Sequence, residues 1–511
     1  MYSKGNARNR IVKHLGPVRK RSDIDRYRRE FLIYSRNQEP EKINLGSLRI
    51  SNSLEFGFYY ATRHILNRTG IGNILEYHLG DCAELAGFLI ACSIAMPSRR
   101  QPLSEVLSNT YYPWLGRTSR DQLFKTLDSM VKHKEGIESD VFGEIRPVSS
   151  EVTCFVVSSR FTTIRHKYRD KGSSTAAQDS VRGQIICIAM LGKLPVYCTV
   201  WDRDCELRDR LYRVRDVLLE RFGLRISKLV VDFPRTGRTL SDIPEDWQYI
   251  AYLSRWAHPY RDILLNTPLS SLNRFGDSLA GIVQSPEVDL RGGGDPASSP
   301  GQNLRSRLAV IYSHELEILD TERFRSENEG FSEAEFRSSN QRSHVGDFKF
   351  PEPKEMVNNG PPDISQIEPE ILMKIAGRRI LLVDASISLE NIVSEYRSFL
   401  DLERRFSSLT AFTELRLPFE WKDGRLLAHV CTNALGLYLE RIIEAETRMT
   451  LKSAMDILST MKALPTWTES GAVILRTDSA QCDRMLSKLS IPVPGRVIGH
   501  GEVADIGSFL L

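Results

Sequence analysis

A change of period near residue 147 constrains this fold more than any other feature of the sequence. Ahead of it the apolar residues recur at helical spacing. After it come three short runs rich in β-branched residues, EVTCFVVSS, GQIICIAML and LPVYCTVWD, the last two separated only by Gly192-Lys193. Runs of this kind read as strands, and the GK pair reads as a tight hairpin turn. CELRDRLYRVRDVLLERFG then carries a helical stripe closed by Gly223, and ISKLVVDF and WQYIAYLSR read as two further strands. Three strands, a helix and two strands predict a mixed α/β core.

The flanking segments divide the chain. LEFGFYYATRHILNRTG, DCAELAGFLIACSIAMP and SRDQLFKTLDSMVKHKEGI read as helices stopped by Gly or Pro or started by a Ser cap. The apolar run AGFLIACSIAM falls short of the roughly 20 residues that cross a bilayer, so it reads as a core helix and no membrane partner is expected. RGGGDPASSPGQN and EPKEMVNNGPPD mark residues 266–388 as an insertion with flexible loops. RLAVIYSHELEILDTERFRSE within it reads as a strand leading into a helix, and RRILLVDAS as a strand. The expected plan is a basic arm (1–50), a helical domain (51–147), the first part of the core (148–265), the insertion (266–388), the second part of the core (389–445) and a C-terminal helical region (446–511).

Charge is informative by position. A net charge of +4 over 511 residues says little. Between Lys4 and Arg29, however, Lys4, Arg8, Arg10, Lys13, Arg19, Lys20, Arg21, Arg26, Arg28 and Arg29 face only Asp23 and Asp25. Such an arm suits a phosphate backbone, although a solvated terminus has the same composition. The eight cysteines form no CxxC pair, which points to reduced thiols and a cytoplasmic setting.

Three acids stand out. Glu151 opens the first strand. Asp232 closes KLVVD, at the carboxyl edge where α/β sheets place their sites. Glu403 falls in the apolar stripe of SEYRSFLDLERRFSSL, two helical turns after Tyr396. Carboxylates so placed suit two divalent cations and phosphoryl transfer. Each has a plainer reading: a polar strand start, a turn cap, and an ion pair with a nearby Arg.

Taken in order, several segments resemble the DDE transposases of bacterial and archaeal insertion sequences, in the branch with a long insertion before the final Glu. They are NRIVKHLGPV, SIAMPSRRQPLSEVL, SRDQLFKTLDSM, EVTCF, KLVVDFPRTG, LENIVSEYRSFLDLERRFSSL and the helices that follow. The resemblance implies that the chain opens partway into that family's N-terminal β element. The resemblance implies an RNase H-like core, double-stranded DNA as partner, a dimer on DNA and a place at the nucleoid. It implies strand cleavage and strand transfer by Glu151, Asp232 and Glu403 around two Mg²⁺ or Mn²⁺ ions. Tyr396, Arg397, Arg404 and Arg405 would contact DNA. The sequence departs from the family at Glu151 (Asp in the family), Phe399 (Arg), Thr410 (Lys), and Phe233-Pro234 after the second acid. Two readings follow, an active transposase and a catalytically inactive or domesticated DNA-binding derivative.

Overall fold

The computed structural model describes residues 53–95, 103–115, 118–145, 149–163, 180–202, 205–232, 243–244, 246–256, 260–283, 306–327, 369–407, 423–468 and 471–501, with two-residue strands at 2–3, 10–11 and 49–50. Most of the basic arm, Phe233, Pro234 and Thr410 lie outside the described residues. The chain divides into two compact units, one of residues 1–144 with 410–511, the other of residues 145–409.

The first unit begins with β1 (Arg49–Ile50), β2 (Leu54–Glu55) and the helices α1 (Gly57–Arg68), α2 (Ile71–Leu79), α3 (Ala83–Ala95), α4 (Leu103–Ser108), α5 (Arg120–Lys132) and α6 (Lys134–Ile145). Ser119 caps α5, and Gln122 returns a hydrogen bond to the Ser119 N–H, forming a capping box. From Leu85 to Ile94 every residue of α3 is buried. The helical stretch Ile71–Ala95 is long and apolar enough to cross a membrane, but 67% of its most apolar window is buried inside the protein. It is therefore a core helix.

The second unit holds β3 (Glu151–Thr163), β4 (Ser180–Leu191), β5 (Leu194–Asp202), α7 (Leu207–Phe222), β6 (Arg225–Asp232), β7 (Gln248–Tyr252), α8 (Tyr260–Asn266), β8 (Asn273–Phe275), β9 (Ser278–Val283), β10 (Ser306–Ser313), α9 (His314–Glu327), α10 (Pro369–Ile375), β11 (Arg378–Asp384) and α11 (Leu389–Ser407). The strands form one nine-stranded sheet in the order β8-β9-β10-β11-β7-β6-β3-β4-β5. The local signals explain its middle. Gly192 sits at φ +60° in the β4–β5 turn, as a two-residue hairpin requires. Gly223 closes α7 at φ +65°, and the Gly223 and Leu224 N–H groups return to Leu219 and Leu218. β3, β6 and β7 run parallel, while β4 is antiparallel to both of its neighbours.

The segment expected as a loop-rich insertion does more than connect. β8 to β11 extend the sheet from β7, with Leu381 paired to Tyr252 and Leu382 to Ala251. Leu308, Ala309, Val310 and Ile311 of β10 are buried, and so are Ile380 to Val383 of β11. These runs are apolar on both faces, which suits interior strands.

The chain then returns to the first unit with α12 (Asp423–Thr447), α13 (Leu451–Leu458), β12 (Lys462–Thr468), β13 (Gly471–Arg476), α14 (Ala480–Lys488) and β14 (Val497–Gly501). α12 packs on α3 and α5. Residues 423–445, expected with the second part of the core, thus belong with the N-terminal helices. The region 446–511, expected to be helical, carries three strands as well as two helices. β14, β13, β12 and β1 form a sheet, with β2 also paired to β12. The reason is local: α13 stops at Leu458, and KALPTWT and GAVILR are short β-type runs that pair as a hairpin.

Candidate functional site

The geometry of the expected site follows from strand register. In β3 and β6, Glu151 pairs with Arg225, Thr153 with Lys228 and Val156 with Val231. Glu151 therefore sits at the amino ends of both strands, exposed, with its N–H donated to Ser149 Oγ. Asp232 is at the carboxyl end of β6, seven residues beyond Arg225, which is about 23 Å along a strand. Glu151 and Asp232 do not meet. Continuing the register by one residue brings Val157, buried at 1% exposure, beside Asp232.

One helix covers the face of the sheet that carries Asp232. Glu395 of α11 accepts from Thr153 Oγ1 at 3.3 Å and from Lys228 Nζ. Lys228, Val230 and Asp232 share a face because side chains alternate along a strand. Asp232 pairs with Tyr252 of β7, whose ring stacks on Tyr396 at 5.4 Å between centroids and lies 4.4 Å from Phe399. α11 thus runs from Lys228 toward the carboxyl edge. Glu403 is about 12 Å along the helix from Glu395, and Asp232 is about 13 Å along the strand from Lys228. Both acids lie toward the carboxyl edge, but Arg404, beside Glu403, pairs with Glu315 just after β10, three strands from the β6 that carries Asp232. Asp232 is buried and Glu403 half-buried.

Of the three expected acids, Asp232 and Glu403 lie toward the carboxyl edge over different strands, and Glu151 lies at the far end of the strands. Among the described residues, no group of three or more His, Cys, Asp or Glu side chains is disposed to hold a metal ion. At the level of Asp232 the neighbouring strands offer Val157 and Tyr252. Mg²⁺ demands a near-octahedral oxygen shell, and these side chains do not supply one.

The expected DNA contacts are also placed differently. Tyr396 is 1% exposed and belongs to the core under α11. Arg397 donates to Phe275 O at 2.7 Å and to Ser278 Oγ at 3.2 Å, holding the β8–β9 turn. Arg404 pairs with Glu315 at 2.9 Å on the surface. Arg405 is half-buried.

Sequence reasoning missed the strongest electrostatic feature of this edge. Asp320 of α9 receives Arg255 through both terminal nitrogens, at 2.5 and 3.0 Å, and Arg379 likewise, at 2.9 and 3.1 Å. The Gly377 N–H adds a fifth bond at 2.9 Å. Burial alone would push the Asp320 carboxyl up, but Arg379 and Arg255 outweigh it and hold it well below the usual range. Burial and the neighbouring Arg379 lower Arg255 to about 10, with Asp320 opposing them. A signal was present in the sequence. Asp320 follows Leu316 by four residues, so it interrupts the buried stripe of α9 much as Glu403 interrupts that of α11.

No family model and no curated protein matches the chain. Among solved structures, a piggyBac transposase in a synaptic complex with hairpin DNA aligns over 79% of this chain and 78% of its own, with 11% identity and a TM-score of 0.27. A likeness at that score carries no argument about fold or activity.

Proposed function

We propose that this protein is a transposase-derived DNA-binding protein, built on an RNase H-like core, that does not cut DNA. One observation carries the reading: the register that sets Val157, rather than a carboxylate, beside Asp232. Cleavage by paired ions needs carboxylates converging on one point. Here Glu151 is a sheet's length away, and Tyr252, Tyr396 and Phe399 fill the neighbouring space with rings.

The strand order supports the RNase H-like part of the proposal. β5-β4-β3-β6-β7 is five strands in the order 3-2-1-4-5 with only the second reversed, a mixed sheet that suits an RNase H-like core. DNA binding rests on the basic arm, whose ten cations against two acids suit phosphate neutralisation. The active reading, with two Mg²⁺ or Mn²⁺ ions, remains the alternative that a direct assay separates.

The test uses the full chain with duplexes taken from both flanks of its gene. Gel shifts are expected, weakening steeply with salt. Deleting residues 1–29 is expected to weaken binding at least ~10-fold and to flatten the salt dependence. No strand cleavage is expected in Mg²⁺ or Mn²⁺. Cleavage that disappears in Asp232→Ala would overturn the inactive reading. Absence of any duplex shift would overturn the DNA-binding reading.

A further inference from the structure

The Arg255–Asp320–Arg379 cluster has more donors than its carboxylate can accept, and Arg379 also donates to Arg378 O at 2.8 Å. Two guanidiniums carry ten N–H groups, and one carboxylate offers about four acceptor sites. Its formal charge is +1, and the three side chains are only 14%, 8% and 21% exposed. A buried charge without a counter-charge is costly.

The Tyr396 hydroxyl adds a second observation. It is fully buried and has no hydrogen-bond partner. Its surroundings are electrostatically those of the cluster: Arg379, Asp320 and Arg255, with Arg404 further out. Burial pushes this phenol up to about 12 against the pull of Arg379, so it remains a neutral donor near neutral pH. A buried O–H donor beside a net positive cluster lacks one thing, an acceptor carrying negative charge. Asp232 pairs with Tyr252, which pairs with Leu381, so Arg379 is two strands away and two residues further along, about 12 Å from Asp232 along the backbone.

We infer that a small monovalent anion of chloride size binds at the carboxyl edge between the Tyr396 hydroxyl and the Arg255–Arg379 pair. The full burial of Tyr396 suits a halide and excludes a phosphodiester. The anion joins α11 to α9 and β11, so it acts as a clamp on this edge. This proposal is independent of whether the protein binds DNA.

The experiment compares melting of the full chain at constant ionic strength in sodium chloride, bromide, sulfate and gluconate. Chloride and bromide are expected to raise the melting temperature over gluconate by about 2–4 °C, saturably, with sulfate close to gluconate. Tyr396→Phe, which keeps the ring, is expected to lose that halide increment. Broadening of the ³⁵Cl resonance by the wild-type protein, relieved by bromide, gives a readout that does not depend on variant folding. Equal melting in chloride and gluconate together with no ³⁵Cl broadening would overturn the site, leaving water or Asp232 as the partner of the cluster. An equal response to sulfate and chloride, or an increment that survives in Tyr396→Phe, would also overturn it.

Discussion

Replacing Asp320 by Ala is expected to destabilise the 145–409 unit by about 3–5 kcal/mol, because it leaves two buried guanidiniums facing one another. At about 2–4 °C per kcal/mol, the melting transition of that unit falls by roughly 6–20 °C. Asp320→Asn keeps the shape and some hydrogen bonds, so its loss is smaller. Differential scanning calorimetry on the three proteins checks the order wild type, Asn, Ala. A variant with an unchanged transition would show that the cluster is worth nothing net. The wild-type pH profile follows from the same cluster. Asp320 titrates lower in the folded chain than unfolded. Its contribution is therefore complete above an unfolded value of about 3.9 and is lost as the pH falls toward the depressed folded value. Acid melts of wild type and Asp320→Asn are expected to begin converging below about pH 4 and to meet only as the pH approaches the depressed folded value.

The second large effect is at Phe399. It is 1% exposed and packs on Tyr252 under α11. Truncation to Ala is expected to cost about 3–5 kcal/mol through lost burial and a cavity. Phe399→Arg, which restores the cation of the resembled family, is expected to cost more than Ala. It places a third guanidinium in a dry site already net positive. Urea unfolding followed by far-ultraviolet dichroism ranks the three proteins. An Arg variant as stable as wild type would show that α11 can turn this position outward. Phe399 thus makes this position of α11 a hydrophobic seat on Tyr252.

Period and punctuation made most elements legible. The strands from Glu151 to Tyr252, the GK turn, the Gly223 stop and the Glu403 helix all follow from residues a few positions apart. Depth within a sheet does not. EVTCFVVSS announces a strand, yet nothing in it says that residue 157, rather than residue 151, lies level with Asp232. That level is set by pairing with a segment some seventy residues later, and a slip of six residues moves an acid from one end of the sheet to the other. In α11 the apolar stripe was the better guide. It marks Tyr396 and Phe399 as buried, while the resemblance assigned those positions to DNA. The Asp320 cluster stayed hidden because its members are separated by 65 and 59 residues. The C-terminal strands were overlooked because STMKAL extends the helical pattern of α13 past its real end at Leu458.

The first unit takes its parts from both ends of the chain, with the whole second unit between them. This has a consequence for synthesis on the ribosome. α3 is apolar around its circumference, and its cover includes α12, which ends 352 residues after Ala95. At ~5–20 residues per second, translation needs roughly 20–70 s to deliver that partner. α1, α2 and α5 are at hand early, but the part of α3 that α12 covers waits exposed throughout that interval while the intervening unit can fold. A chaperone holding the nascent chain between these two events would protect the step at which aggregation is most probable in time.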